Sequence, residues 1–427
     1  MRADRARRWQ IAGNRLAGIA FRCSARGVHL GKRRGGRALS LRFSSGTGFL
    51  NNEWPVLCAC VSPSTSLEAA RQALTGTFDW DVLLEAAEEH SVQGIVAKRL
   101  EELHFENVPQ EAREKLQSRM RAQHLFTLSM TAELFRVLND FSSAGLEAIV
   151  IKGPVTSLVA YGDPALRGFG DVDLLLRQKD ISAASQRMQS QGFVPSVTDS
   201  AIAAGKIPGE YVFKRPGTNR MIEIHTEQTF RYYPAGMPIE MMFRRKRMLP
   251  FDGREVPALS LTDEIVFYCV HGAKDFWERL MWICDVAAIA KNRPEVDWNA
   301  TWRAASECGA GRMLTVGLLL GARVLRAQLP PSMVETVERD QGAARLCAQI
   351  QRWLPYGAGA PPSLLRRALY RISMGEGGIR GLNYLSRLSL SPTEEDWQAA
   401  GTHQGRSWFW DTVRRPFRLM RKYGSNN

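Results

Sequence analysis

No apolar run in this chain approaches the roughly 20 residues a helix needs to cross a bilayer. The longest candidate, Leu314 to Leu325, is too short and carries glycine and arginine. No membrane span is expected, and the chain reads as a soluble, cytoplasmic protein. Cysteine follows no pairing pattern. The seven residues are scattered, and Cys58 and Cys60 form a C-x-C without a second pair at zinc-site spacing. Cys269 and Cys284 fall inside apolar helical patterns, as small core residues do. This usage fits a reducing compartment. There is no internal repeat, and no low-complexity tract beyond the N-terminus.

Acid is almost missing from the first 42 residues, which hold 12 Lys/Arg and one acid, Asp4. That segment carries +11 of the net +14, leaving +3 on all the rest. The body is nearly neutral, so nothing in it demands a phosphate backbone, and DNA is not expected as a partner. Residues 1–45 read as a basic arm, expected to be disordered. A targeting peptide and translation from an upstream start codon remain open readings of the same composition.

What is present is ordinary globular composition, 44% apolar and 23% charged. Residues 46–141 read as a helical N-terminal region with a break near Ser91 to Gly94 and a long amphipathic pattern from about Pro109. Trp80 and Asp81 mark a helix start, with Asp81 as its candidate cap. Residues 142–260 change character. "LEAIVI" and "DVDLLL" read as strands around a short helix that ends near Gly162. Asp180 starts the next helix and Gly192 ends it. Further strands are predicted at Tyr211 to Lys214, Arg220 to His225 and Glu255 to Leu259. Residues 261–353 are helical again, with Thr262 as N-cap and a break near Gly272. Residues 354–427 form a C-terminal helical tail behind "PYGAGAPPS". The fold class is therefore α+β, a small mixed β-sheet core flanked by N- and C-terminal helical regions.

The chemistry concentrates at GFGDVDLLL, residues 168–176. In a strand, residues i and i+2 point the same way, about 6 to 7 Å apart. Asp171 and Asp173 would project together, and two such carboxylates repel unless something positive lies between them. Mg2+ suits that place, since it takes oxygen ligands from one or two carboxylates plus substrate phosphates. The pair alone is a weak signal, because acids at strand ends often serve as solvated caps. Three features strengthen it. Leu174 to Leu176 place the acids at the entrance of a core. "RMIEIH" offers a second same-face pair, Glu223 and His225, with Glu223 as a third carboxylate. "IKGP" puts Gly153 where the backbone can approach a ligand and where helix N–H groups face phosphate. Gly153-Pro154, His225 and Glu223 each have an alternative: a strand-to-helix turn with proline at its favoured early position, a histidine bonded to backbone, and pairing of Glu223 with Arg220 or Lys214.

"LEAIVIKGPVTSLVAYGDPALRGFGDVDLLL", "IEIHTE", "VHGAKDFWERLMWICDVAAI", "SPTEEDW" and "RRPFRLMRKYG" occur in this order. The chain thereby resembles the bacterial family of uncharacterised nucleotidyltransferases, a branch of the DNA polymerase beta-like nucleotidyltransferase superfamily. The resemblance runs from about Trp80 to Tyr423. Its specific part is the Lys-Gly, Tyr-x-x-Pro-x-x-Arg and Asp-x-Asp succession. It implies transfer of an NMP from an NTP to an acceptor hydroxyl of a small molecule, protein or RNA, with Mg2+ or Mn2+. Asp171, Asp173 and Glu223 would be the metal-binding and catalytic acids. Lys152, Gly153 and Arg167 would lie on the nucleotide side. Lys274 is a further candidate for phosphate contact, with a buried salt bridge involving Asp285 as the competing account of that helical segment. The superfamily's usual turn is Gly-Gly or Gly-Ser, whereas this chain has Gly153-Pro154. A D-x-D glycosyltransferase using a nucleotide sugar, and an inactive scaffold of the same fold, are the competing functions.

Overall fold

The computed structural model describes residues 52–203, 209–228, 235–359 and 363–375, together with Leu382. The basic arm, "SPTEEDW" and "RRPFRLMRKYG" lie outside the described residues. Among the described residues, seven strands make one mixed sheet: β1 (Ile149–Val150), β2 (Val172–Leu175), β3 (Val194–Pro195), β4 (Glu210–Lys214), β5 (Met221–His225), β6 (Arg247–Phe251) and β7 (Arg254–Ala258), in the order β3-β4-β5-β2-β1-β7-β6. β2 pairs parallel with β5 and β1 parallel with β7, and the remaining neighbours run antiparallel. Helices precede, interrupt and follow the sheet, so the class is α+β. No helix among the described residues is long and apolar enough to cross a membrane.

The two-residue repeat of the strands explains how the sheet is used. On one face, Val172, Leu174, Ile222, Ile224, Tyr211 and Phe213 are essentially fully buried. Burying each such side chain stabilises the fold by about 1.5–3 kcal/mol. The other face carries Asp173, Glu223, His225 and Glu210. "LEAIVI" shortens to a two-residue strand. Sequence reasoning missed β3 and β6, because Pro195 and Pro250 interrupt the strand signal and both strands lie at the sheet's ends.

The caps differ by one or two residues from expectation. Asp79, rather than Asp81, accepts from Asp81 and Val82 N–H. Ser260, rather than Thr262, accepts from Asp263 N–H. Asp180 stands at the predicted N-cap but makes no side-chain cap bond, and Gly192 has a φ of +83° just beyond the helix end.

The helical segment after the sheet opens with two helices, Leu261–Lys274 and Leu280–Asn292. The break falls after Lys274, where Phe276 and Trp277 take positive φ of 61° and 51°. The fully buried Trp277 ring folds back into a slot that only glycines can line. A Cβ on Gly272 would lie 2.6 Å from the ring, and one on Gly317 would lie 2.8 Å from Cys269 Sγ and 3.0 Å from the ring. The Leu280–Asn292 helix begins on His90, which also stacks near Trp54. Leu280 N–H donates to His90 Nδ1 at 3.1 Å, and Met281 N–H donates to the His90 carbonyl at 3.3 Å. Burial pushes the His90 imidazole down to about 4, against a hydrogen bond with the Pro355 backbone.

Two outcomes follow. Gly272→Ala should lower unfolding free energy by about 1–3 kcal/mol through overpacking. Gly321→Ala, where the nearest atom would be an ordinary 3.6 Å away, should be neutral or stabilising by up to about 1 kcal/mol; urea denaturation compares them. His90 has a folded pKa below its unfolded value. Its contribution is therefore fully present above about pH 6.5 and is lost as pH falls toward 4, about 3 kcal/mol in all. Urea midpoints at pH 7.5 and 5 should differ less in His90→Gln than in the unaltered protein.

Candidate functional site

β1 delivers the chain to Lys152 and Gly153, where the backbone turns into the Pro154–Tyr161 helix. Gly153 has φ +78° and ψ −139°. A Cβ there would sit 3.3 Å from both the Asp171 carbonyl oxygen and Val172 Cγ2. Both conformation and close approach demand glycine, so the turn is pressed against the strand that carries the acids. Pro154 lacks an N–H but occupies the first helical position, where none is needed within the helix.

The loop from Gly162 to Asp171 is clamped by the N-terminal helices. Gln123 Nε2 donates to the Ala165 carbonyl at 2.5 Å, and Gly168 N–H donates to the Ser91 carbonyl at 3.3 Å. Gly94 lets its helix lie directly on Leu166, whose carbonyl oxygen would be 2.3 Å from an added Cβ. The predicted break near Ser91 to Gly94 thus separates the helices Trp80–Glu89 and Gln93–Glu102 at the point that holds this loop.

Strand register assembles the centre. The parallel β2–β5 pairing sets Asp173 opposite Glu223, and the antiparallel β4–β5 pairing sets Glu210 opposite His225. Asp173 is 1% exposed. Its Oδ1 accepts from Lys152 Nζ at 2.7 Å and meets His225 Nε2 at 2.8 Å, while its buried Oδ2 has no hydrogen-bond partner among the described residues. His225 Nε2 also lies 3.6 Å from Glu223 Oε2, and its Nδ1 lies 3.9 Å from Glu210 Oε1. Asp171, half-buried, stands one position before β2 begins.

The electrostatics follow from packing like charges in a dry place. Burial, together with the Asp173 and Glu223 carboxylates, pushes the Asp171 carboxyl up to about 8, against the pull of Lys152 and Arg167. Burial also works against ionised Asp173, but the Lys152 ammonium and the His225 hydrogen bond hold its carboxyl well below the usual range. Lys152 is likewise penalised by burial, and the Asp173, Asp171 and Glu223 charges more than offset this. His225 reaches about 9 because its bonds to Asp173 and Glu223 outweigh burial.

These residues fit a divalent cation. Asp173, Glu223 and His225 each offer a ligand atom, all within 4.8 Å of one another. A buried carboxylate oxygen without a partner is costly unless an ion or water satisfies it. Among the described residues, Cys58 and Cys60 belong to no such cluster, and burial pushes both thiols up to about 12.

The other expected residues are distributed unevenly. Lys274 lies outside the Asp173 cluster, 3.4 Å from Glu210 Oε1. It lines a narrow cleft with Lys152, His225, His271, Phe267 and Gln228. Arg167 is buried in an ion pair with Asp285. Its Nε donates to Asp285 Oδ2 at 2.8 Å, and Tyr161 Oη donates to Asp285 Oδ1 at 2.9 Å. Asp285 therefore has the salt-bridge partner that its place on an apolar helix required. Glu223 is not paired with Arg220, whose guanidinium binds Glu133 at 3.2 Å. His225 is bonded to a carboxylate instead of to backbone. Sequence reasoning missed Glu210. It precedes the predicted strand by one residue, and its partner is set by a pairing that no local pattern encodes.

Asp285→Ala would strand the buried Arg167 charge and should cost about 3–5 kcal/mol. Replacing the pair together, as Asp285→Leu with Arg167→Met, should recover most of that loss in urea denaturation.

Residues 76–326 match the family described as Uncharacterised nucleotidyltransferase. No curated protein and no solved structure matches the chain. The match spans more than half of the sequence, from the helices that clamp the loop, through every strand of the sheet, to the helices that carry Lys274 and Asp285. The chain belongs to this family of uncharacterised nucleotidyltransferases.

Proposed function

We propose that this protein is a metal-dependent nucleotidyltransferase that moves an NMP from an NTP to an acceptor hydroxyl. The observation that carries the reading is the buried Asp173 carboxylate, set in register against Glu223 with one oxygen unpartnered, in a chain of a nucleotidyltransferase family. Asp171, Asp173 and Glu223 would hold Mg2+ or Mn2+, which would neutralise charge on the polyphosphate and on the attacking oxygen.

The chain's own residues supply the rest. The acceptor oxygen bonds to the α-phosphorus, the bond from that phosphorus to the β-phosphate bridging oxygen breaks, and pyrophosphate leaves. The hydroxyl proton passes to a carboxylate, which is Glu223 in this reading. Lys152 sits 2.7 Å from Asp173 Oδ1 and provides a fixed positive charge beside the reacting phosphates. Lys274 extends that charge along the same cleft. Arg167, tied to Asp285, acts on the site chiefly through its field and by fixing the loop ahead of Asp171. Gly153 lets the nucleotide-side turn lie against the acid-bearing strand. The acceptor belongs to the class of small molecules, proteins or RNA that present a hydroxyl.

The test offers each of the four α-labelled NTPs, with Mg2+ or Mn2+, to the protein in a cell lysate. Metal-dependent labelling of a discrete species is expected. Asp173→Ala and Asp171→Ala should each reduce it by about a hundredfold or more. Transfer of sugar from labelled UDP-sugars, with no NMP transfer from any NTP, would overturn the reading.

A further inference from the structure

We infer that His225 Nε2 is a direct metal ligand, and that the centre therefore adds an imidazole to its carboxylates, a mixed site that prefers a first-row transition ion to Mg2+. The inference rests on reading the Asp173 cluster as the metal centre and goes beyond it in naming a nitrogen ligand and the class of ion.

The first argument is distance. Ligand atoms about 2.1 Å from a cation lie about 3.0 Å apart along an octahedral edge and about 3.4 Å apart along a tetrahedral one. His225 Nε2 is 2.8 Å from Asp173 Oδ1 and 3.6 Å from Glu223 Oε2. The imidazole nitrogen thus already stands at ligand spacing from both carboxylates. Lys152 Nζ and His225 Nε2 both lie on Asp173 Oδ1, and Oδ2 is buried without a hydrogen-bond partner among the described residues.

The second argument is the far side of the ring. A metal-bound histidine usually donates its other N–H to a carboxylate, which fixes the tautomer and the ring plane. His225 Nδ1 is buried, makes no hydrogen bond, and faces Glu210 Oε1 at 3.9 Å. Glu210 is placed there by its register opposite His225. Its Oε1 lies 3.4 Å from Lys274 Nζ, so the carboxylate is anchored to the helix across the cleft. The β4–β5 hairpin thus places the Glu210 carboxylate where that outer-shell bond would form, with Glu210 as a positioning residue.

The third argument is ligand chemistry. A hard ion such as Mg2+ is served by oxygen ligands and waters, whereas an imidazole nitrogen favours transition ions. Replacing one oxygen donor by His225 Nε2 shifts the site's preference in that direction.

Mn2+ is the probe, because electron spin echo modulation from a coordinated nitrogen reports imidazole binding without any assay of activity. The full chain should bind Mn2+ at least about tenfold more tightly than Mg2+, measured by competition. The bound ion should show nitrogen modulation that changes when the protein is labelled with 15N-histidine. His225→Gln should remove the modulation and bring the two affinities together. His271→Gln, which alters the other histidine of the cleft, should leave the modulation in place. Glu210→Gln should keep the modulation while weakening Mn2+ binding about tenfold.

Mn2+ bound by the unaltered protein without nitrogen modulation would overturn the histidine ligand while leaving the metal centre intact. So would modulation that survives His225→Gln and disappears in His271→Gln. Failure of the unaltered protein to bind Mn2+ at all would overturn both this inference and the metal-dependent reading it rests on. Absence of the modulation in the unaltered protein overturns the histidine ligand even where His225→Gln fails to fold, and its persistence in His271→Gln then assigns it to His225.

Discussion

The in-register parallel pairing of Asp173 on β2 with Glu223 on β5 is the constraint on which the site depends. A carboxylate pair at the core's edge is unfavourable by itself, because burial penalises each charge and the two repel. Strand alternation explains why the arrangement holds. The same strands that present Asp173, Glu223 and His225 on one face bury Val172, Leu174, Ile222 and Ile224 on the other. A slip of one residue would move those apolar side chains to the charged face and bring the acids into the core. The hydrophobic face thus enforces the register, and the register enforces the charge cluster. Lys152 then supplies positive charge beside Asp173, and His225 Nε2 meets the same oxygen.

The surrounding helices position this cluster. The N-terminal helices hold the loop before Asp171 through Gln123, Ser91 and the bare face of Gly94. The helices after the sheet hold it from the other side, through the Arg167–Asp285 bridge and through Lys274 beside Glu210. Trp277, seated against Gly272 and Gly317, fixes the turn immediately after Lys274. His90 joins the two sets of helices, because its neutral ring accepts from the first residue of the Leu280–Asn292 helix. Acid that protonates His90 therefore weakens a joint on the same helix that carries Asp285.

Much of this was legible in the sequence, and the limits have a physical cause. Asp171 and Asp173 ahead of three leucines, and Glu223 and His225 two apart, declare their shared faces through the period of a strand. Gly153 ahead of Pro154 declares a turn into a helix. The charge on Asp285 declares a partner, though its identity, Arg167, comes from packing between segments 118 residues apart. Glu210 had no such local signal, since its importance arises only when β4 folds back on β5. Trp277 was hidden for the same reason. Its positive φ reflects a slot formed with a glycine 40 residues away, which overrides the helical pattern that would otherwise continue through it.

The Gly153-Pro154 turn fits this account without a second glycine or a serine, because its glycine already meets the needs of backbone conformation and of contact with Asp171. The charge on the phosphate side would then fall more heavily on Lys152 and Lys274 than on turn N–H groups. The central claim is that Asp173 and Glu223 jointly hold a metal ion. Its most direct test is an anomalous difference map from crystals of the full chain soaked in Mn2+ with a non-hydrolysable NTP. The account predicts a peak about 2.2 Å from an oxygen of each carboxylate, with the nucleotide's phosphates beside Lys152. A map with nucleotide bound, no peak between the two acids, and Lys152 Nζ still resting on Asp173 would contradict it.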